Sequence, residues 1–113
     1  MDDLLVERVL RAAECVPPGR VASYGLIASL VGTGPRQVGA VMSRHGAAVA
    51  WWRVTNRDGR LPSPLLAEAR RRWLDEGTPV RDDGSGCDYR ASVVSAEAFA
   101  DAVAEALRDL RRP

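Results

Sequence analysis

Apolar positions recur with a helical period over the first sixteen residues. Leu5, Val9, Ala12 and Val16 share one face of a helix expected over residues 3–16, with Glu7, Arg11 and Glu14 opposite. Asp2 or Asp3 suits its N-cap, and Cys15 lies at the edge of the stripe. Val16-Pro17-Pro18-Gly19 ends it, because proline cannot continue the hydrogen-bond ladder. A second helix is predicted from the N-cap Ser23, with Leu26, Ile27, Leu30 and Val31 forming a buried face and Gly32 closing it. After the short Gly32-Thr33-Gly34 connection, Pro35 suits the first turn of a third helix. Val38, Val41 and Met42 face one way there, and Arg36, Gln37, Ala40 and Arg44 the other. Two short helices joined by a glycine-bearing turn fit a helix-turn-helix.

The next segment changes period. Gly46 to Ala50 is small and apolar, Trp51 to Thr55 reads as a strand, and Asn56-Arg57-Asp58-Gly59 is a turn signal; together they suggest a small wing or hairpin. In a strand, Trp51 and Trp52 would point to opposite faces, one to core and one to a pocket or a stacked base. Leu65 to Asp75 reads as a helix closed by Gly77. Residues 81–90 read as a polar loop. Ser95 caps a last helix running to Arg111, with Phe99, Val103, Ala106, Leu107 and Leu110 inside.

Composition narrows the class. The 113 residues, 46% hydrophobic and 27% charged, suit one domain spanning 1–113, without repeats or a low-complexity linker. No apolar run approaches a membrane span, and Asp2-Asp3 does not resemble the basic start of a signal peptide. Two cysteines are too few for a disulfide framework, which points to a reduced, cytoplasmic setting. All sixteen basic residues are arginine, and they are segregated. Residues 19–60 carry six of them (Arg20, Arg36, Arg44, Arg53, Arg57 and Arg60) against one acid, Asp58, while each flank is net acidic. A basic centre is a candidate surface for a polyanion.

The catalytic inventory is thin. His45 is the sole histidine, and with Cys15 and Cys87 it has no zinc-ligand spacing. Gly32-Thr33-Gly34 opens a helix but lacks the lysine of a phosphate-binding loop. Asp82 and Asp83 read as a solvated loop. No cofactor or metal is implied.

Three motifs carry a resemblance. Pro18-Gly19-Arg20-Val21-Ala22-Ser23-Tyr24-Gly25, Pro35-Arg36-Gln37-Val38-Gly39-Ala40-Val41-Met42 and Ala50-Trp51-Trp52-Arg53-Val54 resemble the C-terminal domain of the O6-alkylguanine-DNA alkyltransferases. The match covers residues 3–60 and extends more loosely to about residue 90. That family carries Pro-Cys-His-Arg-Val where this chain has Ala50-Trp51-Trp52-Arg53-Val54, so Trp51 replaces the cysteine nucleophile and Trp52 its histidine. An indole cannot accept an alkyl group as a thiolate does. The pattern resembles the alkyltransferase-like proteins, non-enzymatic sensors of alkylated guanine.

The resemblance implies a mainly α, winged helix-turn-helix-like fold with an extra C-terminal helix over residues 95–111. It implies a DNA-binding face of Tyr24, Arg36, Gln37, Gly39, Ala40 and Arg44. Arg36 would fill the gap left by a flipped guanine, Tyr24 would press the adjacent phosphate, and Gly39 and Ala40 would let the third helix lie close in the minor groove. A lesion pocket of Tyr24, Met42, Trp51, Trp52, Arg53 and Val54 would receive the base. The implied partners are duplex DNA containing O6-alkylguanine and nucleotide-excision repair proteins, engaged by a monomer. The alternative is a helix-turn-helix transcription regulator reading the major groove. Gly39 and Ala40 count against it, since neither offers a hydrogen-bonding group to a base edge.

Overall fold

A computed structural model describes residues 2–110. Helix α1 (Asp3–Glu14) begins as its sequence demands, with the Asp2 carboxylate accepting from the Leu4 N–H, and it buries Val9, Ala12 and Ala13. It stops two residues short of the expected end, just ahead of Pro17-Pro18. Strand β1 (Ala22–Ser23) leads directly into α2 (Tyr24–Val31), where the Ser23 hydroxyl caps the Leu26 N–H. Gly32 closes α2 at φ 81°, a left-handed conformation that glycine adopts without a Cβ penalty. Helix α3 (Pro35–His45) follows with proline in its first turn and Val38 and Val41 buried. The helix-turn-helix is therefore built as its pattern indicates.

The expected hairpin is replaced by something else. Gly46–Ala48 and Trp51–Arg53 are single 3-10 turns, and only Val54–Thr55 (β2) is extended. β2 pairs with β1 in parallel, Ala22 opposite Val54 and Ser23 opposite Thr55. The turn at Asn56–Gly59 does form, with the Gly59 N–H donating to the Asn56 carbonyl. No second strand follows it to complete a wing, because β2 takes its partner from the far end of the helix-turn-helix. The chain after the turn instead meets residues 86–87: the Cys87 N–H donates to the Gly59 carbonyl at 3.0 Å. A Cβ on Gly59 would stand 2.3 Å from the Cys87 carbonyl oxygen, so only glycine fits.

A 3-10 turn at Ser63–Leu65 starts α4 (Leu66–Glu76), which buries Ala69 and Trp73 and ends at Gly77. Residues 81–90 are more ordered than a polar loop. Cys87 is buried and bridged to Val80, and α5 (Tyr89–Ser92) is capped by Asp88. Val93 then bridges Val21 in parallel, so the C-terminal third braces the chain just before β1. Helix α6 (Ala96–Ala106) buries Phe99 and Val103 against α1 and α2, and a 3-10 turn at Arg108–Leu110 follows. The expected helix to residue 111 thus breaks after Ala106, and residue 111 lies outside the described residues. Arg11 ties the two ends together, bonding Glu7 on its own helix and Asp109 and the Ala106 carbonyl across the fold. No helix among the described residues is long and apolar enough to cross a membrane.

Two apolar cores result. The larger joins α1, α2, α3, Val54 and α6. The smaller gathers Val21, Ala69, Trp73 and Cys87, with Trp51, Trp52, Leu61 and Leu66 packed on it.

Candidate nucleic-acid interface

Helix α3 presents Arg36, Gln37 and Arg44 exposed, with Gly39 and Ala40 half-exposed between them. Arg36 and Arg44 make no ion pair among the described residues. Gln37 folds back toward the start of its own helix, since a Cβ on Gly34 would lie 2.6 Å from Gln37 Oε1. A Cβ on Gly39 would meet nothing within 4 Å. Open space lies over that backbone, so glycine there leaves room for an approaching surface rather than for a neighbouring helix.

Beside this face opens a cavity of about 360 Å³. Tyr24, Gly39, Met42, Trp51 and Val54 line it, with the 61–65 segment forming the opposite wall. That volume falls in the range of small-molecule and base pockets. The lining is mostly apolar, with the Tyr24 and Ser43 hydroxyls as polar groups. Burial pushes the Tyr24 phenol up, which keeps it neutral and a hydrogen-bond donor. Its hydroxyl has no hydrogen-bond partner among the described residues.

Of the six residues expected in a lesion pocket, the structure brings Tyr24, Met42, Trp51 and Val54 together. Trp52 and Arg53 lie outside, on a groove with Glu14, Glu68 and Arg72 behind Trp51. The reason is the 3-10 turn. Successive side chains there diverge by about 120° rather than alternating, and the two indole rings stand perpendicular with centroids 5.6 Å apart. Arg72 covers the Trp52 ring at 4.6 Å and Arg53 approaches it at 5.5 Å.

Arg53 is a structural cation. Its Nε bonds both Glu76 oxygens at 3.1 and 3.2 Å, and its Nη1 donates to the Val16 carbonyl. Glu76 also accepts from the Gly19 N–H. Burial alone would raise the Glu76 carboxyl, but the bonds from Arg53 and Gly19 and the nearby Trp52 indole outweigh it and hold it below its ordinary value. The buried Trp52 Nε1 has no well-formed hydrogen bond, although it is close enough to favour the Glu76 carboxylate.

The cavity also uses residues that sequence reasoning passed over. Ser43 and Gly46 join Gly39 and Met42 at the i, i+3, i+4, i+7 spacing of one helical face, a signal present in the sequence. A Cβ on Gly46 would press to 3.2 Å from Met42 Cε, the mobile end of a cavity side chain. Leu61, Pro62, Pro64 and Leu65 have no such local signal, and only the folded chain brings them to the cavity. Neither cysteine lines it. Cys15 edges a separate groove between α1 and α6, and Cys87 is buried with its thiol pushed up to about 11 by desolvation. His45 is exposed at the end of α3.

A family model described as 6-O-methylguanine DNA methyltransferase, DNA binding domain, matches residues 5–77. The chain belongs to that family. Within it the chain is alkyltransferase-like, and Trp51 stands in the cavity wall. Two curated relatives, from Escherichia coli (strain K12) and Shigella flexneri, are each named DNA base-flipping protein. Each is 37% identical over 89 residues, covering 74% of this chain and 69% of the relative. No solved structure matches the chain. The matched family segment holds the helix-turn-helix, the cavity and α4, whereas α5 and α6 of this alkyltransferase-like chain lie beyond it.

Proposed function

We propose that the protein binds O6-alkylguanine in duplex DNA by rotating the base into the 360 Å³ cavity, and retains it there without chemistry. One observation carries this reading: Trp51 forms the cavity wall beside Tyr24, and no thiol or imidazole lines the cavity. An indole offers the base a stacking surface and cannot take up its alkyl group. Flipping costs a few kcal/mol, least for a poorly paired base, and the apolar lining offsets that cost. In this reading exposed Arg36 enters the stack behind the departing base, Gly39 and Ala40 allow close approach of α3, and Arg44 meets the backbone. The names of the two relatives accord with this behaviour. A retained, unrepaired base is a signal for another machine, so the reading extends to delivery to nucleotide-excision repair proteins by a cytoplasmic monomer.

The decisive test is a titration of the protein against two duplexes that differ only by methylation at one guanine O6. At least several-fold preference for the methylated duplex is expected. Arg36→Ala should weaken that binding strongly, and Arg108→Ala, on the acidic C-terminal segment, should do little. Equal affinity for both duplexes with strong dependence on flanking sequence would favour a regulator instead.

A further inference from the structure

The fold sorts the six arginines of the basic middle segment. Arg53 is committed to Glu76, and Arg20 turns to the Ala91 carbonyl at 3.4 Å. Arg20, Arg36, Arg44, Arg57 and Arg60 are all exposed and make no ion pair among the described residues; Arg36, Arg44 and Arg57 are the ones on α3 or on the groove beside it. Two of these are on α3. Arg57 is on the turn after β2.

The parallel register decides where Arg57 emerges. Ser23 pairs with Thr55, so both strands end on the same side, and Tyr24 leaves β1 beside Asn56 and Arg57 leaving β2. Between them runs a groove of about 560 Å³, bounded also by Gly25 and by Pro35, the residue before Arg36. Tyr24 lines this groove and the base cavity alike. A nucleotide whose base occupies the cavity therefore has its sugar-phosphate chain led past Tyr24 into the groove that Arg57 borders. The Asn56 Oδ1 accepts from the Asp58 and Arg60 N–H groups, which fixes the turn that carries Arg57.

We propose that Arg57 is a second phosphate-binding arm, which grips the strand that carries the extruded base from the side opposite α3. The assignment rests on the base-flipping reading above. A guanidinium suits it, because its planar fork can take two oxygens of one phosphodiester. The contact is to the backbone and not to the lesion, so it adds affinity for modified and unmodified duplex alike.

The test is a salt series. Binding of a fluorescent duplex with one O6-methylguanine, and of its unmodified twin, is measured for wild type, Arg57→Gln, Arg57→Lys and Arg60→Gln, with thermal melting to compare the folds. Arg57→Gln should weaken both duplexes several-fold and flatten the slope of log affinity against log salt by about 0.9. Arg57→Lys should restore most of the slope, and Arg60→Gln should leave it near wild type. An unchanged slope in Arg57→Gln, or an equal loss in Arg60→Gln, would overturn the assignment. The wild-type ratio between the two duplexes tests the base-flipping reading separately, so the two failures are distinguishable.

Discussion

The indole N–H of Trp73 donates to the carbonyl of Trp52 at 2.7 Å. Trp73 is buried in α4, whereas the 3-10 turn Trp51–Arg53 contains no buried residue of its own. The turn is thus held from outside, by this bond and by the Arg53–Glu76 pair on the same helix. Helix α4 thereby fixes the direction in which Trp51 faces the cavity.

Trp73→Phe keeps an aromatic ring in the smaller core and removes the donor. The Trp52 carbonyl loses its partner, and stability should fall by about 1–3 kcal/mol in denaturant unfolding. Affinity for methylated duplex should fall more than affinity for unmodified duplex, because a loosened turn no longer holds Trp51 against the base. Equal losses on both duplexes would show that the turn keeps its shape without the bond.

Glu76 makes stability depend on acid. Its folded-state carboxyl is held below the ordinary value of 4.5, so the unfolded chain binds the proton more readily. The stabilisation is therefore fully present above that ordinary value and is lost as pH falls below it toward the folded value. Glu76→Gln should cost about 1–3 kcal/mol near neutrality and flatten this acid limb. Melting temperatures of wild type and variant across pH 3 to 7 should converge toward the acid end; parallel curves would mean that Glu76 is not the group responsible.

Gly39 sets stability against binding. It lies inside α3, and nothing within 4 Å would meet a new Cβ. Gly39→Ala should therefore raise stability by about 0.5–1 kcal/mol. The same methyl would stand at the cavity rim on the exposed face and should weaken binding to both duplexes. A more stable variant with undiminished binding would place the DNA elsewhere than over this part of α3.

Incubation with alkylated DNA should leave the intact mass of the protein unchanged, and Trp51→Cys should not create an efficient alkyltransferase. A thiol at residue 51 keeps an ordinary pKa of about 8.5 and is only partly ionised near neutrality. Its neighbour Trp52 supplies no base and is turned away, between Arg72 and Arg53. The enlarged cavity would also let the base take several poses, which harms alignment for attack. A stoichiometric alkyl adduct on the wild-type chain would end the non-enzymatic reading, and fast transfer to the variant would show that residue 52 matters little.

Local signals suffice where the structure is local. The Asp2 and Ser23 caps, the Gly32 and Gly77 stops and Pro35 at the start of α3 all act through groups within a few residues, and each is legible in order along the chain. The same holds for the cavity face of α3, where spacing alone aligns Gly39, Met42, Ser43 and Gly46. The segment around Trp51 is different. Its residues favour a strand, yet Trp51–Arg53 coil into a 3-10 turn because Trp73, Glu76 and the Val16 carbonyl, all distant in sequence, take up its polar groups.

The amino-acid sequence by itself determines the starts of the five longer helices, the helix-turn-helix and the family motifs, because each depends on residue identity at short spacing. Tertiary structure alone decides that β2 joins β1 in parallel, that Trp51 rather than Trp52 faces the cavity, and that residues 61–65 close it. It also decides that Arg53 is tied to Glu76 while Arg57 stays free of an ion pair among the described residues. The physical reason is that strand pairing and charge pairing select partners by position in space. A two-residue strand or a single guanidinium carries too little local preference to name its partner before the cores have formed.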